Sequence, residues 1–206
     1  MPTKNITTLF WDVGGVLLSN AWDGIERQRA LDRFALDASE FDQRHKSCVA
    51  AFEQGELSLS EYLDRTIFYL PRAFTREAFQ EYMLSLSQPK REVLAQAQDL
   101  AKGGKYLMAT LNNESRELNL YRIQKFGLEK TFTLFISSCF VGLRKPDEAI
   151  YRLALDVTQK LPEECCFIDD RIPNVNAARQ LGMHAIQMID ATQLRQDLDE
   201  LGVKVA

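Results

Sequence analysis

Five short apolar runs constrain this chain more than anything else in it. They are "ITTLFW" (6–11), "KYLMATL" (105–111), "FTLFIS" (132–137), "CCFID" (165–169) and "HAIQMI" (184–189). Each is continuous rather than alternating, the pattern of a strand buried on both faces of a parallel sheet. Helical patterns separate the last four. "NESRELNLYRIQKFG" closes on Gly127, a residue suited to the left-handed position after a helix. "PDEAIYRLALDVTQ" opens with Pro146 at or near a first helical turn, and "PNVNAARQLG" runs from Pro173 to Gly182. Repeated β-α-β units of this length predict a doubly wound parallel α/β sheet.

The gap between the first two strands is different. From Asn20 to Ser87 no strand pattern occurs, and amphipathic helical segments are predicted over about 22–36, 39–53, 59–70 and 75–86. Ser58 and Glu61 in "SLSE" form a capping-box pattern that opens the third. The predicted division is an α/β core of residues 1–19 and 87–206, with a small helical domain, 20–86, inserted after the first strand. A chain of 206 residues is long enough for this without a disulfide or structural metal.

Its four cysteines, Cys48, Cys139, Cys165 and Cys166, show neither C-x-x-C nor zinc spacing, and the adjacent pair reads as core. A net charge of −4 without a Lys/Arg block disfavours nucleic acid and anionic membranes as partners. No apolar stretch reaches membrane-span length, and the polar start "MPTKNITT" does not read as a secretory signal. A cytoplasmic protein is the expectation.

Ligands of open α/β sheets bind beyond the carboxyl ends of the strands. Asp12 follows the first predicted strand. Thr110, Asn112 and Asn113 lie at the end of the second, Arg144 and Lys145 follow the third, and Asp169, Asp170 and Asn174 follow the fourth. Any one of these has an ordinary explanation as a turn residue or a solvated charge. Together they gather three carboxylates, a lysine, a hydroxyl and several amides at one sheet edge. Converging carboxylates repel one another unless a cation lies between them. A hard divalent ion with oxygen ligands relieves that repulsion, and Mg²⁺ characteristically takes a few carboxylates together with a substrate phosphate. Gly14 and Gly15 allow a tight turn that brings backbone close to a ligand. Lys145 and Thr110 would then bind phosphate oxygens, and Asp12 would be the nucleophile.

Four ordered segments, "LFWDVGGVLL", "LMATLNN", "GLRKPDEAIY" and "FIDDRIPNVNAARQLG", together resemble the motifs of the haloacid dehalogenase superfamily of phosphatases and related hydrolases. The insert after the first motif is similar to that of the subfamily with a helical cap, and "FEQGELSLSEYL" resembles the cap segment that reaches into the site. The resemblance implies a Mg²⁺-dependent hydrolase acting on a small phosphorylated metabolite through an aspartyl phosphate. Within it, Asp12 matches the nucleophile and first metal ligand, and the Gly14 carbonyl a second ligand. Asp170 matches the acidic ligand of the last motif, with Asp169 as ligand or outer partner. Asn174 supports that motif, and Lys145 matches the phosphate-orienting lysine. Thr110 matches the phosphate-binding hydroxyl, although "TLNN" is one residue longer than the usual Ser/Thr-Asn pair, so that Asn112 is the alternative match. Gly15 stands among the phosphate-binding positions, while Trp22, Gln54, Asn20 and Gly55 are candidate substrate contacts.

One position departs from the family pattern. Phosphatases of this kind carry a second aspartate two residues after the nucleophile, which protonates the leaving oxygen; here that residue is Gly14. Three readings follow: a phosphatase restricted to undemanding leaving groups, a dehalogenase, or a non-catalytic binder of a phosphorylated ligand or a protein partner. A bacterial clade with D-x-G-[NG]-V at this motif includes enzymes acting on glucose 1-phosphate, which makes sugar phosphates the expected substrates. The acidic pair Asp169–Asp170 argues against the dehalogenase.

Overall fold

The computed structural model describes residues 5–204. Its centre is a parallel sheet of five strands in the order β3-β2-β1-β4-β5. The strands are β1 (Thr8–Trp11), β2 (Leu107–Asn112), β3 (Leu134–Ser137), β4 (Cys165–Asp169) and β5 (His184–Gln187). β1 is central, pairing Trp11 with Thr110 on one side and Ile168 on the other. The continuous apolar runs are thereby explained: β1 and β4 are buried along their whole length.

Alternation along the strands divides the apolar residues between two faces. Leu9, Trp11, Met108, Cys166 and Ile168 pack with α5 (Arg91–Lys102) and α10 (Ala191–Glu200). Phe10, Ala109, Leu111, Cys165 and Phe167 pack with α8 (Glu148–Thr158) and α9 (Ile172–Gln180). The fold is thus a layered α/β sandwich. α6 (Arg116–Phe126) and the single turn α7 (Ser138–Val141) follow β2 and β3. Gly127 is left-handed at the end of α6, as its position in the pattern predicts. Pro146 lies outside α8 rather than in its first turn, because the Asp147 side chain caps the helix by accepting from Ala149 N.

Between β1 and α5 the chain forms four helices: α1 (Gly24–Arg33), α2 (Ala38–Glu53), α3 (Leu59–Thr66) and α4 (Arg76–Ser85). The Ser58–Glu61 capping box is present at the start of α3. These helices enclose a core of their own, including Trp22, Phe41, Phe52, Tyr62, Phe79 and Met83, joined by Leu118 of α6. The insert leans on the α/β layer at a close point. Gly55 has φ +77°, and a Cβ there would collide with the Cys139 carbonyl. Among the described residues no helix is long and apolar enough to cross a membrane.

Candidate active site

The carboxyl ends of β1, β2 and β4 open into a cleft of about 410 Å³, roofed by the helical insert. Asp12 extends β1 by one rung, its N–H donating to the Ile168 carbonyl at 2.9 Å. Its carboxylate accepts from Val13 N at 2.8 Å. Lys145, the residue before Pro146, reaches back between two acids: its Nζ lies 3.0 Å from Asp12 Oδ1 and 2.6 Å from Asp169 Oδ2. Burial alone would depress the Lys145 ammonium, but Asp12 and Asp169 outweigh it and hold the proton more tightly than usual. Asp12 is pushed up to about 8, first by burial; Lys145 opposes the rise, while Asp169 and Asp170 add to it.

Asp12, Asp169 and Asp170 each offer an oxygen within 4.8 Å of the others. Their roles separate by hydrogen bonding. Asp169, fully buried, accepts from Arg171 N, from the Asn174 amide on both oxygens, and from Lys145. Its lone pairs are therefore largely committed. Asp170 is the opposite case: its buried Oδ1 has no partner. Burial, with Asp169 as the next contributor, raises its proton affinity. An orphaned buried carboxylate oxygen beside two further carboxylates is the donor set a hard cation fits. Gly15 completes this corner. At φ +76° a Cβ there would overlap the Asp170 carboxylate, so a side chain at position 15 would displace the acid. Lys90 donates its Nζ to the Gly15 carbonyl and holds the turn.

Gly14 lines the cleft. A Cβ there would lie 3.1 Å from Asn20 Oδ1 and 3.4 Å from Arg122 Nη1. The space an acid would take is thus bordered by an amide and a buried guanidinium. Arg122 donates to Glu114 Oε2 at 2.8 Å, to the Ser19 carbonyl at 2.6 Å and to Ser87 Oγ at 3.2 Å. Burial pushes Glu114 up to about 7 against the attraction of Arg122, with Glu53 adding to the rise.

The second motif is arranged differently from the sequence expectation. Thr110 does not line the cleft, because β2 runs two residues beyond it to Asn112, leaving it fully buried within the strand. Its hydroxyl has no partner. Asn112 is turned to α6, where it donates to Asn119 Oδ1 at 3.1 Å, and it accepts from Ser137. Asn113 is the residue that reaches the cleft, and it also clasps the Lys145 backbone through its carbonyl and N–H.

The insert supplies the roof with Asn20, Trp22, Asp23, Arg27, His45, Val49, Phe52 and Glu53. Trp22 lines the cleft, with its Nε1–H donated to Tyr62 Oη at 2.9 Å. Tyr62 is also 2.7 Å from His45 Nδ1. Gln54 does not face the cleft: its side chain donates to the Gly142 carbonyl, tying α2 to the turn after α7. Ion pairs Arg144–Glu53 and Arg171–Asp23 join the two layers at the rim. Sequence reasoning missed Glu114, Arg122, Lys90 and His45. Only Glu114 carried a signal, as the charge that follows the second motif directly.

Flavin mononucleotide hydrolase 1 of Arabidopsis thaliana is 29% identical over 172 residues, which cover 79% of this chain and 65% of the relative. Bifunctional epoxide hydrolase 2 of Sus scrofa is 26% identical over 93% of this chain and 38% of its own length. The chain therefore spans less than two thirds of these curated relatives. Among solved structures, the HAD family enzyme bt-2542 of Bacteroides thetaiotaomicron in its magnesium complex superposes with a TM-score of 0.78 at 20% identity, covering 94% of this chain and all of that one. The L-2-haloacid dehalogenase PA0810 superposes at 0.63 with 22% identity, over 87% of this chain and 83% of its own. The family model for haloacid dehalogenase-like hydrolases matches residues 6–182, and the chain belongs to that family of hydrolases.

Proposed function

We propose that the protein is a Mg²⁺-dependent phosphatase of small phosphorylated metabolites, with sugar phosphates favoured, and that the insert acts as its cap. The observation that carries this reading is the trio Asp12, Asp169 and Asp170 with the orphaned Asp170 oxygen beside the Lys145 ammonium. Asp12, Asp170 and the Gly14 carbonyl would hold the metal, which when bound neutralises the carboxylates and draws charge from the phosphoryl oxygens. Support also comes from two likenesses: bt-2542 was crystallised with magnesium and inorganic phosphate, and flavin mononucleotide hydrolase is named for a phosphate monoester.

The chain's own residues divide the work. Lys145 and the Asn113 amide bind the phosphoryl oxygens. Asp12 attacks phosphorus as a carboxylate, a state that burial opposes and positive charge beside it restores. Asn174 and Arg171 N fix Asp169, which in turn fixes Lys145. Trp22, Phe52 and the polar groups around them enclose the leaving group.

The test is phosphate release from glucose 1-phosphate, flavin mononucleotide and p-nitrophenyl phosphate, with Mg²⁺ and with EDTA. Turnover that requires Mg²⁺ and favours the sugar ester is expected. Release of no phosphate from any of the three sinks the phosphatase reading; release that persists in EDTA sinks its metal.

A further inference from the structure

Of the cleft-lining acids for which the mechanism above has no use, Asp23 and Glu53 are paired with Arg171 and Arg144 at the rim, and Glu114 is the one on the core side. Glu114 follows Asn113 at the mouth of β2 and lines the same cleft as Asp12 and Gly14. Its Oε1 accepts from Ser115 N, and its Oε2 from Arg122 Nη1. That same Nη1 borders the space a side chain at position 14 would fill. Arg122 is clamped by Ser19 and Ser87 and is 1% exposed, so one buried guanidinium links Glu114 to the border of that space.

We propose that Glu114, held by Arg122, is the general acid and base of the reaction, serving from the end of β2 in place of the carboxylate absent at position 14. The inference rests on the phosphatase reading. In the first half-reaction Asp12 forms its bond to phosphorus, the bond from phosphorus to the leaving oxygen breaks, and that oxygen takes the Glu114 proton. The resulting carboxylate is stabilised by Arg122. In the second half-reaction water attacks the aspartyl phosphate and gives its proton to Glu114, releasing phosphate and restoring both acids. A carboxyl group that titrates near neutrality suits both steps, and burial places Glu114 at about 7. The groups that act on it are Arg122 from α6, Glu53 from α2 and Cys139 from α7; Asp12, Asp23, Arg27, His45, Arg144, Lys145 and Arg171 line the same cleft.

Leaving-group dependence tests this. In the wild-type protein, kcat/KM for glucose 6-phosphate, whose leaving alcohol needs a proton, should show a descending limb near pH 7. The limb should be weaker for p-nitrophenyl phosphate, whose leaving group does not. Glu114→Gln keeps an oxygen for Arg122 and should lower turnover of glucose 6-phosphate by roughly 10²-fold or more. The loss on the aryl ester should be at least about tenfold smaller, the limb should vanish, and Glu114→Asp should recover part of the rate. Equal losses on both esters with an unmoved pH profile would reduce Glu114 to a positioning residue and overturn the proposal. So would a wild-type profile without the limb, even if the variant failed to fold. A wild-type protein inert on both esters and also on glucose 1-phosphate and flavin mononucleotide would condemn the phosphatase reading instead; one that turns over the aryl ester and never glucose 6-phosphate would overturn the general acid.

Discussion

The α/β core and the helical insert face each other across one cleft and treat polar groups in opposite ways. The core buries full charges, with Asp12, Lys145 and Asp169 each less than a tenth exposed and locked into a shared network. The insert buries rings. Trp22 packs edge-on against Phe41 and Phe79, and Phe52 stacks on Tyr62 at 4.1 Å between centroids. Its buried polar hub is the Trp22–Tyr62–His45 chain, kept neutral. Charge at strand ends does chemistry because parallel strands deliver several groups to one edge. The aromatic core behind the roof fixes Trp22 and Phe52, which face the cleft among the charged Asp23, Arg27 and Glu53 and, on the proposed function, would shape the space for a leaving group. Substitutions in the core should therefore change rate, and substitutions in the insert should change stability and selectivity.

The strongest way to break that contrast is Asp12→Asn. The amide keeps the volume and accepts from Val13 N but is a poor nucleophile. Turnover should fall by roughly 10⁵-fold, with melting temperature held or raised, since a buried carboxylate pushed up to about 8 is removed. A variant that loses its fold rather than its rate would show that the core network is structural.

The insert's matching test is pH. Burial, with Arg27 next, lowers His45 to about 4 from an ordinary 6.5, so the fold prefers the neutral ring. Between pH 6.5 and 4 the unfolded chain binds the proton and the folded one does not. The stabilisation is present above about 6.5 and is lost as pH falls toward 4, on the order of 3 kcal/mol across the window. Asp12 and Glu114, both raised by burial, contribute slopes of the opposite sign in this window, so the His45 term is the difference between the wild type and His45→Gln. Denaturant melts of both proteins at pH 7 and pH 4.5, read on tryptophan fluorescence, should show that the variant gains stability relative to the wild type as pH falls; an equal change with pH in both would place the acid sensitivity elsewhere.

How much of this was legible depends on the range of the interactions. The strands were, because burial on both faces writes a continuous apolar run, and β4 has the bounds its pattern predicts. So were the groups at the strand ends, because topology alone carries Asp12, Lys145, Asp169 and Asp170 to one edge. Thr110 was misplaced by the pleat: β2 runs to Asn112, so a hydroxyl expected to reach a ligand from the strand's end is buried within the strand. Arg122 was beyond reach in principle. It sits on a helix face like any surface arginine, and only the fold brings it to Ser19, 103 residues away. Gly14 is legible at last through Arg122, whose guanidinium borders the space a side chain there would need.

The smallest expected effect lies where the two regions touch. Arg144 Nε donates to Glu53 at 2.8 Å, and Arg171 pairs with Asp23 in a more exposed position. Both pairs join the insert to loops that carry Lys145 and Asp170, so on the proposed reading of the insert as a cap they would favour its closed position. Partly exposed pairs of this kind contribute about 0–1 kcal/mol each. Glu53→Gln and Asp23→Asn should therefore leave the melting temperature nearly in place and change the closed fraction by at most about fivefold. The readout is a rise in KM at low salt that disappears near 0.5 M salt, where screening has already removed the pairs in the wild type. Glu53→Gln should have the larger effect of the two, because its pair is less exposed. If the rise in KM were independent of salt, these carboxylates would be contacting substrate directly, and the roof would share in binding charge as the core does.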